Sequence, residues 1–454
     1  MIDFGSTYTK TIAVNMETEE IIGTSQAPST VKDNIMIGLN EALDNLYRII
    51  GETEFKYKLA CSSAAGGLRM VAVGFVKELT AEAAKRAALG AGAKVVETFS
   101  YGLNDQELEE IIDLNPDIIL LAGGTDGGNK EILIHNAEKI ANCSLQKPVV
   151  VAGNKKVANK AGEILRNGKM DVTITENVMP DLNIINVEPT RSAIREVFMQ
   201  RIVFAKGLDK ARSFVDGILM PTPMAVLNAA KLLAEGTNEE EGLGELIIVD
   251  VGGATTDIHS VANGKPSDNA ILKGLPEPFA KRTVEGDLGI RYNALSIFDL
   301  AGAEKILINA GISKDLKELS SYLKQVSSVT NKVPKNELEA KIDLGLARTA
   351  VEIAIKRHAG IIEEVYFPDG LIRIQKGKDL TDVKNLIGTG GVFAHGIYGY
   401  DILGSGIYDP KEPFSLRPKH PNIFLDSKYC LFATGLLAEV SPTIALRIAK
   451  KYLK

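Results

Sequence analysis

The sequence predicts an α/β fold of at least two lobes, one of which carries an inserted parallel α/β subdomain. Its 454 residues are more than one ordinary hydrophobic core holds. One short motif occurs twice, as DFGSTYTK at residues 3–10 and as DVGGATTD at residues 250–257. Between the copies, from 69 to 178, apolar strands alternate with polar helices, which is typical of a parallel sheet.

The elements of the first lobe follow from alternation and helical spacing. A short strand leads into the motif at 3–10, and residues 9–14 and 20–25 alternate polar and apolar side chains as a hairpin. Residues 35–50 repeat apolar side chains at helical spacing after an N-cap predicted at Asp33. Residues 55–60 form a further strand, so the order is three strands, a helix and a strand.

The inserted subdomain begins where this pattern changes. An alanine-rich helix at 79–89 is followed by strands at 95–99, 118–122, 149–152 and 172–175, with helices at 105–114, 130–141 and 156–166. Its turn AGGTDGG at 122–128 lacks the Lys-Ser/Thr that completes a P-loop, so we interpret it as a tight turn or an interaction loop.

The second lobe begins with the apolar strand 246–249, preceded by a helix at 225–233. A second strand follows the repeated motif and ends at Asn263-Gly264, a strong turn signal. Later elements are helices at 303–310, 314–324 and 335–362, strands at 371–374 and 385–387, the turn GTGG at 388–391, and a last helix at 445–452. The predicted boundaries are 1–68 for the first part of lobe I, 69–178 for the insertion, 179–244 for the remainder of lobe I with a connecting helix, and 245–454 for lobe II.

Composition excludes several classes of function. The net charge is −6 and there is no basic tract, which argues against a nucleic-acid partner. No apolar run approaches the ~20 residues that span a bilayer, and no N-terminal leader is evident. Cys61, Cys143 and Cys430 are dispersed, without a C-x-x-C pair. These features predict a cytoplasmic protein with reduced thiols and no membrane association.

Both copies of the motif suit a polyphosphate and its metal. Asp3 and Asp250 end strands, where a carboxylate can hold Mg²⁺ through water, and we assign them the catalytic and metal-binding role. Glycines let backbone N–H groups approach phosphate oxygens. The predicted phosphate contacts are Gly5, Ser6, Thr7, Gly252, Gly253, Thr255 and Thr256. Asp257 either joins them or caps its own hairpin, and Lys10 either neutralises phosphate or lies exposed. The histidines have no metal-ligand spacing, and we interpret His259 as structural.

The two motifs, the late GTGG turn and the insertion together resemble the actin, sugar-kinase and heat-shock chaperone ATPase superfamily. The resemblance implies duplicated actin-like (ribonuclease H-like) lobes that bind ATP with Mg²⁺. It also implies that Gly388, Gly390 and Gly391 lie beside adenine and that Glu285 and Asp287 touch ribose or the water shell of the metal. Met220 stands where actins and chaperones carry the Gln or Glu that positions the attacking water. Either another residue supplies that contact, or hydrolysis is slow and waits for a partner.

The whole chain is similar to the MutL/GlmL family of accessory proteins associated with glutamate mutase. The stretches that carry this resemblance are DFGSTYTK at 3–10, CSSAAGGLRMVAVG at 61–74, LTAEAAKRAALGAGAKV at 79–95, LLAGGTDGGN at 120–129, NVMPDLNIINVEP at 177–189, VDVGGATTDIHSV at 249–261 and KRTVEGDLGIR at 281–291. The resemblance implies an ATP-dependent reactivating chaperone, with weak or partner-stimulated ATPase activity, that releases damaged cobalamin from an adenosylcobalamin-dependent mutase of the glutamate mutase or ornithine aminomutase type. Its partners would be mutase subunits, in a homo- or hetero-oligomer, and we expect the insertion to dock them.

Three other functions stay open on the sequence alone. A small-molecule kinase of the same fold needs a general base facing the γ-phosphate, and we identify none. An activator ATPase with an iron–sulfur cluster would place paired cysteines near the nucleotide, whereas the cysteines here are dispersed. Met220 also leaves room for a scaffold protein that does not hydrolyse ATP.

Overall fold

The computed structural model describes residues 1–5, 7–30, 34–63, 68–202, 214–266, 270–313, 316–330, 332–368 and 370–454. Ser6, a predicted phosphate contact, and Asp33, a predicted helix cap, lie outside the described residues. The chain divides into two compact units. The first comprises Met1–Asn228, Gly274–Pro276 and Phe432–Ile448, and the second comprises Ala229–Lys273, Glu277–Leu431 and Ala449–Lys454.

The main sheet of the first unit has five strands in the order β10-β4-β1-β2-β3. They are β1 (Ile2–Phe4), β2 (Tyr8–Asn15), β3 (Glu20–Pro28), β4 (Leu59–Ser62) and β10 (Gly217–Pro221). The first three strands pair antiparallel, whereas β4 is parallel to β1 and β10 is parallel to β4. β1 is buried although it is only three residues long, because it lies in the middle of this sheet.

The main sheet of the second unit repeats this arrangement, in the order β14-β12-β11-β17-β18. Its strands are β11 (Leu246–Val251), β12 (Thr256–Val261), β14 (Ala280–Glu285), β17 (Asn385–Thr389) and β18 (Asn422–Leu425). Here too the first strand is central, with two antiparallel strands on one side and two parallel strands on the other. The shared order and directions confirm the predicted duplicated α/β lobes.

The insertion forms a sheet of five parallel strands in the order β6-β5-β7-β8-β9. These are β5 (Leu68–Gly74), β6 (Ala93–Ser100), β7 (Ile118–Leu121), β8 (Val149–Val151) and β9 (Val172–Ile174), with helices Glu82–Gly90, Asp105–Leu114, Glu131–Ala141 and Ala158–Asn167. The prediction of a parallel α/β insertion is confirmed, although the sequence pattern does not indicate β5. β5 is buried on both faces and so lacks the polar–apolar alternation that marks a half-exposed strand.

The parallel sheet shares a hydrophobic core with the first lobe. Met70 and Leu120, on one face of this sheet, belong to the same buried cluster as Phe4 of β1 and Leu39 of the helix Ile35–Ile50. The opposite face, represented by Val71, packs in a separate core with the helices of the insertion. One face of the inserted sheet therefore belongs to the core of the lobe that carries it.

Helices complete both units. In the first, Ile35–Ile50 begins at the N-cap Asn34, whose side chain accepts a 3.2 Å hydrogen bond from the Met36 N–H. Among the described residues, the remaining helices are Glu188–Val197, Thr222–Glu235, Ala294–Ala310, Leu316–Ser328, Glu337–His358, Gly391–Ala394, Gly399–Gly404, Leu431–Leu437 and Pro442–Tyr452, with π-helical turns at Lys77–Ala81 and Phe198–Ile202.

One predicted helix ends earlier than expected. The helix predicted to reach residue 362 ends at His358, and residues 361–367 form β15 (Ile361–Phe367). This strand pairs antiparallel with β16 (Gly370–Lys376), which in turn pairs with β13 (Ala270–Lys273) in a third small sheet. None of the helices in the described part of the chain combines the length and the apolar character that a bilayer-spanning segment needs.

Candidate functional site: two equivalent hairpins

The first hairpin is closed by a hydrogen bond from the Gly5 N–H to the Tyr8 carbonyl oxygen, at 3.0 Å. A Cβ atom on Gly5 would lie 2.6 Å from that oxygen, so the turn requires glycine. Thr7 is half-buried, and its carbonyl oxygen accepts a 2.9 Å bond from the Ser29 N–H. The turn is therefore held on both sides by backbone hydrogen bonds.

Asp3 is buried at the end of β1, where it has three neighbours of different chemistry. One carboxylate oxygen accepts a 2.7 Å hydrogen bond from the Thr222 hydroxyl and lies 3.7 Å from the Cys61 thiol. The other oxygen lies 3.7 Å from the Lys10 ammonium. Burial raises the pKa of the Asp3 carboxyl, and Lys10 and the Thr222 hydroxyl oppose that rise. Asp3 is thus a carboxylate in low-dielectric surroundings that a cation and a hydroxyl keep in place.

The second hairpin has the same backbone geometry. The Gly252 N–H donates a 2.9 Å hydrogen bond to the Thr255 carbonyl oxygen, and a Cβ on Gly252 would lie 3.0 Å from that oxygen. The Gly253 carbonyl oxygen accepts hydrogen bonds from the backbone N–H groups of Arg291 and Tyr292, at 3.0 and 2.9 Å. Both copies of the motif therefore form one type of turn at the end of a central strand.

The two hairpins differ in the residue opposite the strand-end aspartate. Asp3 is paired in register with Lys10, whereas Asp250 is paired with Asp257. Asp257 is buried, and one of its oxygens accepts bonds from two nitrogens of Arg282, at 2.6 and 3.0 Å. Its other oxygen accepts a 2.9 Å bond from the Thr255 hydroxyl. Asp257 is therefore more than a cap of its own hairpin, since it joins the turn to β14.

The GTGG turn lies against the second strand-end aspartate. Gly390 has φ +107°, and a Cβ there would lie 2.5 Å from the Val251 carbonyl oxygen and 3.1 Å from an Asp250 carboxylate oxygen. A Cβ on Gly391 would meet nothing within 4 Å, whereas one on Gly388 would lie 2.7 Å from the Phe393 ring. The structure thus brings this turn to Asp250 and leaves open space at Gly391.

Other predicted site residues have partners that the sequence did not indicate. Arg357 donates to Glu285 at 2.6 Å and to both carboxylate oxygens of Asp287 at 2.9 and 3.0 Å. Burial raises the pKa of Glu285, while Arg357 lowers the pKa of Asp287. The buried Thr256 hydroxyl donates to the Leu288 carbonyl oxygen at 2.8 Å, which ties the second hairpin to the loop after β14.

Met220 and His259 are both fully buried. The Met220 sulfur lies 3.6 Å from the side-chain amide of Asn228. From this segment it is the Thr222 hydroxyl, two residues later, that approaches Asp3. Neither ring nitrogen of His259 has a hydrogen-bond partner among the described residues. Burial, with the Arg282 charge as a smaller contribution, lowers the pKa of His259 well below its ordinary value, so the ring is neutral.

The metal-ligating side chains at the two hairpins fit a hydrated Mg²⁺ better than a metal that several side chains bind directly. Within the described ranges, no group of three or more His, Cys, Asp and Glu side chains could hold a metal ion. Each hairpin instead offers a strand-end carboxylate beside a glycine turn. Mg²⁺ keeps several of its waters and takes one or two carboxylates together with substrate phosphates.

Comparison with known sequences identifies the family. The family model described as "MutL protein" matches residues 1–453. "Protein MutL" of Clostridium tetanomorphum is 51% identical over 456 residues, which cover 100% of this chain and 98% of that protein. The chain belongs to the MutL family.

Two solved structures with similarity to this MutL family member share little sequence with it. Nucleotide-free acetone carboxylase is 13% identical, with a TM-score of 0.39 over 96% of this chain and 69% of that one. A chain of the PilM–PilN type IV pilus biogenesis complex is 12% identical, with a TM-score of 0.32 over 99% and 97% of the two chains.

Proposed function

We propose that this protein binds ATP with Mg²⁺ and uses it to reactivate an adenosylcobalamin-dependent mutase of the glutamate mutase or ornithine aminomutase type, in the cytoplasm. The observation that carries the proposal is the pair of equivalent hairpins, each with a glycine-closed turn beside a strand-end aspartate. Membership of the MutL family supports the association with a mutase.

The residues of the second unit have distinct tasks in this proposal. Asp250 holds Mg²⁺ through water, and Gly252, Gly253 and Thr255 lie at the phosphates and their metal. Gly391, where a Cβ would meet nothing, leaves room for the adenine ring. Mg²⁺, when bound, neutralises charge that develops on the phosphate oxygens during hydrolysis. In the first unit, Asp3 has the corresponding role at the metal, and Gly5, Ser6 and Thr7 lie at the phosphates.

ATP can drive reactivation through a difference in affinity. A mutase that has lost its adenosyl group retains the damaged cobalamin, and a partner that binds an open mutase conformation more tightly than the closed one shifts the mutase towards release. ATP binding and hydrolysis would switch that preference on and off. Slow hydrolysis until a mutase binds agrees with the buried Met220, where related ATPases have a polar residue that positions water.

Hydrolysis and cobalamin release, measured in the same tubes with and without inactivated candidate mutases, test the proposal. We expect a mutase to stimulate hydrolysis and to lose its damaged cobalamin, and we expect Asp250→Ala to abolish both effects. Asp299→Ala, which removes an exposed carboxylate from the helix Ala294–Ala310, is the matched control and should behave as wild type. Nucleotide binding without any effect on a mutase, together with phosphate appearing on a metabolite, would favour the kinase instead.

The insertion is our proposed docking element for the mutase. Its deletion is an unsuitable test, because one face of its sheet lies in the core of the first lobe and would be exposed. Hydrogen exchange on the intact protein avoids this difficulty. We expect an added mutase to slow exchange in the helices Asp105–Leu114, Glu131–Ala141 or Ala158–Asn167. Unchanged exchange in all three helices, with the mutase bound, would place docking elsewhere.

A further inference from the structure

The Thr255 hydroxyl in the second hairpin has a fixed polarity. It is half-buried and donates its hydrogen bond to an Asp257 carboxylate oxygen at 2.9 Å. A hydroxyl has one proton to donate and two lone pairs that accept. Because the proton is directed towards Asp257, the oxygen presents lone pairs to anything that enters the turn.

Arg282 keeps Asp257 in this role. Two nitrogens of its buried guanidinium donate to the Asp257 oxygen that Thr255 does not use, at 2.6 and 3.0 Å. A guanidinium has donors only and stays charged. An ionised carboxylate has acceptors only, so Asp257 cannot donate a proton to the Thr255 oxygen. The hydrogen bond between them therefore uses the proton of the Thr255 hydroxyl. Asp257 and Arg282 are therefore positioning residues for the Thr255 hydroxyl.

We infer that Thr255 contacts the hydrated Mg²⁺ rather than a phosphate oxygen. A phosphate oxygen is an acceptor and would compete with Asp257 for the same proton, whereas a metal-bound water donates and a metal ion accepts lone pairs. This inference rests on the proposed nucleotide binding and deepens it, because it assigns Thr255, supported by Asp257 and Arg282, to the metal side of the nucleotide.

The first hairpin lacks this arrangement, so the assignment concerns the second copy alone. The turn that Gly5 closes ends at Tyr8, where the second turn has Thr255. In register opposite the strand-end aspartate it has Lys10, where the second hairpin has Asp257. A lysine offers donors only, so it supplies no acceptor to orient a hydroxyl. The two copies thus have the same backbone turn and different polar chemistry.

Binding of ATP to the intact protein, measured by calorimetry or by competition with a fluorescent nucleotide, tests the inference in excess Mg²⁺ and again in EDTA. With Thr255→Val, we expect affinity to fall about five- to tenfold in Mg²⁺, the size of one lost hydrogen bond, and to stay at the wild-type value in EDTA. We also expect a higher Mg²⁺ concentration at half-saturation. Thr255→Ser, which keeps the hydroxyl, should retain wild-type behaviour.

A second variant tests the positioning role. Asp257→Asn can donate its amide to the Thr255 oxygen, so the hydroxyl proton can turn towards the nucleotide, and we expect the Mg²⁺ requirement to rise as in Thr255→Val. Glu339→Gln, which weakens a partly buried ion pair with Lys332 in the same unit, is the control and should leave that requirement unchanged.

The outcomes separate this inference from the proposed function. Equal weakening of ATP binding in Mg²⁺ and in EDTA by Thr255→Val would mean that the hydroxyl donates to phosphate, and would overturn the inference alone. Wild-type protein that binds no ATP in Mg²⁺ would overturn the proposed function, and the inference with it.

Discussion

The Thr222 hydroxyl donates a 2.7 Å hydrogen bond to the buried Asp3 carboxylate, 219 residues earlier in the chain. The two residues meet because β10, which leads into Thr222, lies parallel to β4, and β4 lies parallel to β1. The helix Thr222–Glu235 thus begins beside the first hairpin. This bond connects the element before the second lobe to the first candidate metal ligand.

Thr222→Val should destabilise the protein by about 1–2 kcal/mol, because it removes a donor from a buried carboxylate. Urea unfolding measures the change. Thr190→Val is the matched control, since the buried Thr190 hydroxyl has no hydrogen-bond partner among the described residues. Its removal should be neutral or slightly stabilising. Equal losses in the two variants would show that the Asp3 contact contributes nothing specific.

Gly390→Ala and Gly391→Ala should have opposite profiles. Alanine at 390 requires φ +107° and places Cβ 2.5 Å from the Val251 carbonyl oxygen, so we expect a loss of about 1–3 kcal/mol in unfolding free energy. Alanine at 391 meets nothing within 4 Å, so stability should be unchanged while ATP affinity falls if adenine lies there. Thermal unfolding and nucleotide titration of both variants check this. An unaffected ATP affinity in Gly391→Ala would remove that residue from the adenine site.

Much of this site could be predicted from local sequence, because each hairpin is built from consecutive residues whose glycine and aspartate have fixed places. The partners of those residues could not. Asp257 forms an ion pair only because Arg282 of β14 lies beside it. Asp287 forms one with Arg357, which belongs to a helix distant in sequence. Met220 lies in the segment that reaches Asp3, but the hydroxyl that donates to Asp3 from this segment belongs to Thr222. Such pairings depend on sheet order, which periodicity does not encode.

His259 should make the protein less stable in mild acid. Its folded-state pKa is lowered by burial, so below the ordinary value of about 6.5 the unfolded chain binds a proton that the folded chain excludes. As the pH is lowered below that value, the unfolding free energy should therefore decrease by about 1.4 kcal/mol per pH unit for each such histidine. Buried His358 contributes in the same direction.

His259→Leu should reduce this acid sensitivity by one proton and leave stability at pH 7.5 equal or higher, since its ring nitrogens have no partners to lose among the described residues. Urea unfolding at pH 7.5 and 5.5 provides the comparison. His395→Gln, which replaces an exposed ring, is the control and should keep the wild-type slope. A slope in His259→Leu identical to wild type would contradict the assignment.

Lys378 should make the unfolding free energy depend on pH above pH 7. Its ammonium is buried and donates to the carbonyl oxygens of Pro278 and Phe279 at 2.9 and 2.7 Å, and burial lowers its pKa to about 7. Between pH 7 and the unfolded value of about 10.4 the unfolded chain holds a proton that the folded chain has lost. Unfolding free energy should therefore rise with pH across that window.

Lys378→Met should flatten this rise, which urea unfolding at pH 7 and pH 9 would show. Lys273→Met, at an exposed position of β13, serves as the control. If both variants keep the wild-type dependence, the Lys378 ammonium is not the titrating group.

Chimeras between MutL proteins are constrained by the core that Met70 and Leu120 share with Phe4 and Leu39. Exchanging residues 69–178 alone would pack one protein's insertion against the first lobe of another protein, whose side chains complement a different insertion. Because interiors are close-packed, mismatched halves create voids and clashes. Donor and recipient should therefore be exchanged with residues 1–228 as one block, which holds every described member of this core except Leu275. Partner specificity in this family is expected to be inherited in blocks of that size.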